Sequence, residues 1–224
     1  MVSWWPGEGN ASDVIDGNSG TLQGGATFAT GRVGQAFSLN GSSAFVQVAD
    51  AASLDITSAI TIDAWVNPNA CTRTFCAIVA KSDANGAGRA YGMWVRGTPV
   101  APPAGTGALY VEGSGLGGAT GFTAAGAIPN GVFTHVAAVI TSGSGFALYV
   151  NGVLQTNLGS GVPTLAANSA PLTIGNSDPG FNFFFDGLID EVEVFNRALS
   201  AAEIQAIVAS RSNGKCTPTP TPTP

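Results

Sequence analysis

The sequence predicts an all-β protein in which two antiparallel sheets pack as a sandwich, followed by one short C-terminal helix. Short segments that alternate apolar and polar residues recur along the chain, and turn residues separate them. Glycine makes up 31 of the 224 residues, which favours many turns over long helices. Only one segment has helical spacing, so an architecture that alternates strands with helices is excluded.

The predicted strands follow one another at short intervals. Pro6 ends the first strand, Asn40-Gly41 supplies a turn, and Asn151-Gly152 supplies a hairpin turn. A hydrophobic content of 45% in a chain of this length is enough for one domain with a substantial core. Before the last strand, the predicted strands lie at residues 2–5, 21–23, 27–29, 36–39, 44–48, 60–66, 75–80, 90–96, 108–112, 132–140, 146–150, 153–156 and 172–175.

The last strand and the helix are the most informative stretch. Residues 188–195, LIDEVEVF, alternate in character and predict a strand with two differently solvated faces. Ser200 and Glu203 form an S-x-x-E capping box, after which Ile204 and Val208 lie at helical spacing. The change of period predicts that the strand leads into one short amphipathic helix.

This stretch resembles the C-terminal signature of LamG-like jelly-roll domains in the concanavalin A-like lectin/glucanase superfamily. The residues that carry the resemblance are GLIDEV at 187–192, NRALS at 196–200 and Glu203-Ile204. Three further motifs resemble the same family in the same order, namely GRVGQAF at 31–37, IDAWV at 62–66 and YVNGV at 149–153. The resemblance implies a jelly-roll domain over residues 1–213 that binds glycans or proteins, without naming a ligand.

Composition limits the partners and the location of the protein. A net charge of −6, with only 8 Lys and Arg, argues against a nucleic acid or an anionic membrane as partner. No run approaches the ~18 apolar residues of a membrane span, so we expect no membrane insertion. Residues 214–224 contain a Thr-Pro repeat, typical of a semi-rigid linker between extracellular modules. The residues after Met1 do not predict a signal peptide, so we expect either a segment of a larger secreted protein or export by another route. Both alternatives place it outside the cell or on its surface.

The cysteines are consistent with that compartment. Cys71 and Cys76 bracket a short loop and predict a disulfide that contributes about 2 kcal/mol in the chain-entropy model. Zinc binding is the competing interpretation, but two cysteines without a histidine or a second pair provide too few ligands. Cys216 is left over beside the linker, either free or paired with another chain.

A structural calcium site is predicted from Asp13, Asp16, Asn18 and Asp190. The first three lie in one polar loop, and a sandwich topology allows Asp190 of the last strand to lie beside that loop. Calcium takes about 6–8 oxygen ligands, which a loop and one distant carboxylate can supply. The resemblance implies that a calcium near the chain ends is common and that Asp190 matches the aspartate of the family. The alternative is that the loop residues cap turns and Asp190 accepts backbone N–H groups.

A carbohydrate site is predicted on the outer faces of three strands. Lectin sites combine an aromatic platform with carboxylate, amide or guanidinium groups. Alternation places an aromatic and a charged residue together on each strand, and the three pairs form one surface if the strands share a sheet. The predicted ligand-binding residues are Asp63, Trp65, Trp94, Arg96, Tyr110 and Glu112. The competing interpretation is that these aromatic side chains cover the core. The phenylalanine-rich loop at 178–185 is a second candidate, although its rings are more typical of core residues.

Catalysis is not expected. Retaining glycosidases need two carboxyl groups about 5 Å apart. The glucanases of the superfamily carry an E-x-D-x-x-E motif, but Leu188 stands at its first glutamate position when Asp190 is aligned with the central aspartate. Glu191 and Glu193 are interpreted as solvated carboxylates on a strand face. His135, the only histidine, is interpreted as a packed, hydrogen-bonded side chain.

These observations predict an extracellular binding module whose partner is a polysaccharide or another glycan. Calcium is the one cofactor that the sequence suggests. The alternative function is a structural or adhesive subunit of a surface assembly or filament, which uses the same fold to contact other protein modules or copies of itself.

Overall fold

Most strands of the chain have one apolar face, and two sheets form because those faces are buried against each other. The computed structural model describes residues 1–83, 88–98, 105–115, 118–177 and 182–210. The predicted linker at 214–224, Cys216 and positions 178–181 of the phenylalanine-rich loop lie outside the described residues.

The described elements are strands, one 3₁₀ turn at Ala52–Leu54 and one helix. They are β1 (Ser3–Trp5), β2 (Gly20–Gln23), β3 (Thr27–Thr30), β4 (Gln35–Asn40), β5 (Phe45–Val48), β6 (Ala59–Pro68), β7 (Phe75–Lys81), β8 (Tyr91–Arg96), β9 (Leu109–Glu112), β10 (Thr120–Phe122), β11 (Thr134–Thr141), β12 (Gly145–Val150), β13 (Val153–Gln155), β14 (Leu172–Ile174), β15 (Asp186–Phe195) and α1 (Ala201–Ser210).

These strands form two antiparallel sheets, which confirms the predicted jelly-roll sandwich. One sheet has eight strands in the order β13-β12-β11-β6-β15-β4-β3, with β1 also paired to β15. The other has seven strands in the order β10-β9-β8-β7-β14-β5-β2. We call them the eight-stranded sheet and the seven-stranded sheet.

The core lies between the two sheets. On β6, Ile62 and Val66 face inward, whereas Asp63 and Trp65 between them face outward. The same alternation holds on strands of the opposite sheet, where Met93 of β8 is buried in the core. The outward-facing residues are therefore the ones from which a functional site is built.

The helix covers part of the outer face of the eight-stranded sheet. Its predicted capping box is present, since Glu203 Oε2 accepts a hydrogen bond from the backbone N–H of Ser200 at 2.8 Å and Ser200 Oγ accepts one from the N–H of Glu203 at 3.3 Å. Ile204 then packs against Phe195, the last residue of β15, and against Leu199, which follows that strand. The helix therefore makes this part of the outer face less accessible.

Two further expectations concern cross-linking and membranes. A disulfide joins Cys71 to Cys76, as predicted, and closes the loop that leads into β7. Within the described ranges, no helix is long and apolar enough to cross a bilayer.

Candidate functional site

The outer face of the seven-stranded sheet carries a row of residues in cross-strand register. Gln47 alternates with the apolar core residues Val46 and Val48, and Gly92 with Tyr91 and Met93. The row runs across six strands through Gln47, Thr173, Ala80, Gly92, Glu112 and Thr120. Because the two central residues are the smallest in the row, the sheet has room there for a large side chain from a neighbouring position.

Trp94 occupies that room. A Cβ atom on Gly92 would lie 2.1 Å from Cη2 of Trp94, so the indole lies where a side chain at position 92 would stand. The indole Nε1 donates a hydrogen bond to Oγ of Ser177 at 2.8 Å, and Trp94 is only 2% exposed. Gly92 therefore permits the position of Trp94, and Trp94 in turn holds Ser177.

A network of charged and polar groups holds the other side of the indole. Arg89 forms a buried ion pair with Glu112, and its guanidinium lies 4.6 Å from the centroid of the Trp94 ring. The Tyr110 hydroxyl donates to Glu112 Oε1 at 2.5 Å. Burial raises the pKa of Tyr110, against the opposing effect of Arg96 and Arg89, so the hydroxyl remains a donor. Glu112 is thus fully engaged by neighbours within the protein.

Arg96, the last residue of β8, is surrounded by aromatic rings. Its guanidinium carbon is 4.9 Å from the ring centroid of Tyr110, 5.2 Å from that of Phe75 and 5.8 Å from that of Phe122. These distances are within the range of cation–π attraction. The rings and the guanidinium pack as one cluster beside Trp94.

A pocket of about 220 Å³ opens next to this cluster. Two half-buried rings, Phe45 and Phe184, lie 6.2 Å apart at its edge. Its polar lining includes amide and hydroxyl groups from Gln47, Thr173, Asn176 and Ser177. Thr173 Oγ1 donates to the carbonyl oxygen of Asn176 at 2.6 Å, which fixes the loop after β14. The pocket and the aromatic cluster meet at Ser177.

Comparison with known proteins identifies the family of this chain. The Laminin G family model of the concanavalin A-like lectin/glucanases superfamily matches residues 40–205. The chain belongs to this superfamily. Among curated protein sequences, none matches the chain.

Solved structures share the concanavalin A-like fold. Domain 4 of AbnA, an extracellular GH43 arabinanase from Geobacillus stearothermophilus solved with arabinotriose, is similar with a TM-score of 0.67 and 23% identity, covering 92% of this chain and 97% of that one. The binding domain of Paraclostridial Mosquitocidal Protein 1 has a TM-score of 0.63 and 14% identity, covering 87% of this chain and 48% of that one. The binding domain of botulinum neurotoxin DC, solved with rat synaptotagmin II, has a TM-score of 0.66 and 14% identity, covering 94% and 51%. The chain thus spans about half the length of these toxin domains.

The predicted carbohydrate site is only partly assembled on this superfamily fold. Trp94, Arg96, Tyr110 and Glu112 lie together on β8 and β9 of the seven-stranded sheet. Asp63 and Trp65 lie on β6 of the other sheet, so the prediction of one surface from all six residues is wrong. The alternation within each strand correctly placed these residues on outer faces. Which sheet a strand joins is decided by pairing with distant strands, and the alternation does not contain that information.

Residues that line the pocket are missing from the sequence prediction. Gln47 and Thr173 each alternate with core aliphatics, which is the signal that places them on an outer face. Phe185 is a core residue, as expected for the phenylalanine-rich loop, whereas Phe184 remains half-buried at the pocket edge. Phe183 packs against Phe75 with ring centroids 5.4 Å apart and so joins the aromatic cluster.

The outer face of the eight-stranded sheet holds a buried polar cluster instead. His135 is fully buried, with Nε2 3.3 Å from Asp63 Oδ1 and its ring 5.3 Å from that of Trp65, which confirms its interpretation as a packed residue. A bulge in β15 separates Asp190 from Glu193 in the pairing with β6, and Glu191 has a φ of 53° there. Glu191 and Glu193 are 4% and 1% exposed, so their interpretation as solvated carboxylates is wrong.

The residues of the predicted calcium site do not converge. Asp13 accepts hydrogen bonds from the backbone N–H groups of Trp4, Ile15 and Asn18 at 2.9–3.0 Å, which stabilises its own loop. Asp190 accepts from the N–H groups of a different turn, at residues 32 and 33. Across the part of the chain that the structure describes, no three acidic, cysteine or histidine side chains gather as a metal site. The arrangement does not fit the predicted calcium cage, and calcium binding stays a prediction.

Asp190 makes the stability of this domain depend on pH. Burial raises its pKa from 3.8 to about 7, and the nearby carboxylates of Glu191 and Glu8 act in the same direction. The folded state therefore binds more protons than the unfolded state between about pH 4 and pH 7, and its contribution to stability falls as the pH rises through that interval. The full shift corresponds to up to roughly 4 kcal/mol.

Asp190→Asn is expected to flatten this pH dependence, because an amide does not ionise while its oxygen can still accept the two N–H bonds. Urea unfolding of both proteins between pH 4 and pH 8 measures the difference. If the two stability curves run parallel, Asp190 is not the titrating group.

Proposed function

We propose that this chain is an extracellular, non-catalytic module that binds a glycan on the outer face of the seven-stranded sheet. The observation that carries the proposal is the pocket in which two phenylalanine rings stand beside amide and hydroxyl groups, next to the Trp94 cluster. A sugar ring has an apolar C–H face and a rim of hydroxyls, and this lining complements both.

The pocket is also preorganised. The indole N–H of Trp94 donates a hydrogen bond to Ser177, and the hydroxyl of Thr173 donates one to the backbone of Asn176. Both bonds hold the loop that lines the pocket. Side chains that are already ordered lose little entropy when a ligand arrives, so more of the contact energy contributes to affinity. This rigidity favours ligand recognition over simple packing as the role of the face.

The state of the carboxylates supports the proposal of binding without turnover. Glycoside hydrolysis needs two carboxyl groups flanking the scissile bond, about 5–9.5 Å apart. In the row of residues described above, Glu112 is the one carboxylate, and it is engaged by Arg89 and Tyr110. Asp190, Glu191 and Glu193 of β15 lie on the opposite sheet, and each is at most 4% exposed.

The relatives support this proposal at the level of the fold. The domain of the arabinanase was solved with arabinotriose, and it matches this chain over nearly its whole length. The disulfide is consistent with an oxidising, extracellular location.

A glycan array probed with the intact chain tests the proposal. We expect sugar-dependent binding that Phe45→Ala reduces and Phe28→Ala retains, because Phe28 lies on β3 of the eight-stranded sheet. Incubation of each bound glycan with the protein should release no new reducing ends. An array without hits at high protein concentration would contradict glycan binding, and release of product would contradict the non-catalytic assignment.

A further inference from the structure

We infer that the pocket beside Trp94 takes a single uncharged sugar ring and excludes acidic sugars. This inference rests on the proposed function and adds the class of ligand. The residues that decide it are those of the pocket lining and the cations nearest to that lining.

Among the residues that the structure describes, the pocket lining contains no charged side chain. Phenyl rings, carboxamides, hydroxyls and one proline surround the space. Asn176 is 4% exposed, and its Oδ1 has no hydrogen-bond partner among the described residues, which leaves an acceptor in a residue of the pocket wall. Neutral amide and hydroxyl groups suit sugar hydroxyls, which both donate and accept, but they do not neutralise a carboxylate.

Two cations near the pocket are already engaged within the protein. Arg89 is paired with Glu112, and Lys81 is paired with Asp50 at 2.5 Å. The Trp94 indole extends back along β8 toward Gly92. Arg96 is four residues beyond Gly92 on the same strand, so about 13 Å of backbone separates it from Gly92. A carboxylate bound in the pocket would therefore lose its hydration without gaining Lys81, Arg89 or Arg96 as a partner, which is unfavourable. The net charge of −6 adds a repulsive field for acidic ligands.

The size of the pocket sets the number of sugar units. Its volume of about 220 Å³ lies below the range of roughly 300–1,000 Å³ that is usual for drug-sized ligands. The two rings at its edge, Phe45 and Phe184, are tilted by 49° to each other and form a corner. This shape accommodates one ring of a glycan, with the rest of the chain lying outside.

The experiment is an array that carries neutral oligosaccharides, acidic oligosaccharides and one matched pair, galacturonic acid oligomers and their methyl esters. The wild-type chain is expected to bind neutral glycans only. Phe184→Ala should weaken that binding about tenfold or more, since it removes one wall of the corner, and Phe28→Ala should not. Gln47→Lys places a cation in the pocket and should gain binding to acidic glycans. Gln155→Lys, with the same charge change on β13, should gain none.

The outcomes separate this inference from the proposed function. Acidic glycans among the wild-type ligands, or neutral binding that Phe184→Ala leaves unchanged, would overturn the inference while glycan binding stands. Absence of any gain in Gln47→Lys would show that charge is not what excludes acidic sugars, and would overturn it as well. An empty array would overturn the proposed function itself.

Discussion

Replacing Lys81 with alanine is expected to lower the free energy of unfolding by about 3 kcal/mol, since the partners of a buried charge are left unpaired. Lys81 is 0% exposed, and its ammonium group contacts Asp50 Oδ1 at 2.5 Å. It also donates to the carbonyl oxygens of Asn168 and Ala170, both at 2.8 Å. These bonds attach the end of β7 to the segment that leads into β14. Urea denaturation followed by circular dichroism measures the loss.

An exposed ion pair in the same protein provides the control. Arg197 and Glu203 approach to 2.7 Å, but both side chains are about half exposed. Solvent screening makes such surface pairs weak, so Arg197→Ala should change the urea midpoint little. Equal midpoints for Lys81→Ala and wild type would show that the buried network does not stabilise the sandwich.

Replacing Trp94 with alanine is expected to weaken ligand binding strongly, although Trp94 does not itself line the pocket. Its effect is indirect, because Trp94 supports the lining residue Ser177. The substitution removes a buried indole and should cost about 3–5 kcal/mol of stability. It also removes the donor that holds Ser177 Oγ, so we expect a clear loss of affinity for any glycan identified on the array. Calorimetric titration at a temperature where the variant is still folded separates the two effects. Trp94→Phe, which restores a ring without the N–H group, should recover stability more than affinity.

Trp65→Ala is the matched control for Trp94→Ala. Trp65 is also nearly buried, at 6% exposed, but it packs on His135 on the outer face of the eight-stranded sheet. Its removal should destabilise the domain while the folded fraction binds glycan with unchanged affinity. Equal losses of affinity in both variants would mean that binding reports global stability and not a site near Trp94.

The fold of this protein is largely predictable from local patterns. The two-residue alternation on β6 and the capping box at Ser200 and Glu203 are both determined by neighbouring residues, and both are present in the structure. The disulfide between Cys71 and Cys76 spans few residues, so its formation also requires no knowledge of the global fold.

The candidate site was predicted less completely because it depends on pairing between distant strands. Alternation places Trp65 and Trp94 correctly on outer faces, but only the ladder pairing shows that those faces belong to opposite sheets. The pocket requires β5 and β14 to be neighbours, although more than 100 residues separate Gln47 from Thr173 in the chain. The bulge at Glu191 likewise changes the direction of side chains in a way that a regular strand pattern does not contain.

The most direct test of the account uses the indole N–H resonances of the four tryptophans in a ¹⁵N–¹H spectrum during titration with a glycan identified on the array. Trp94 touches the pocket through Ser177, whereas Trp5 lies in the core and Trp4 and Trp65 lie at the opposite sheet. We predict a saturable shift of the Trp94 resonance with little change in the other three. Shifts of Trp4 or Trp65 with Trp94 unchanged would place the ligand on the eight-stranded sheet and contradict the account.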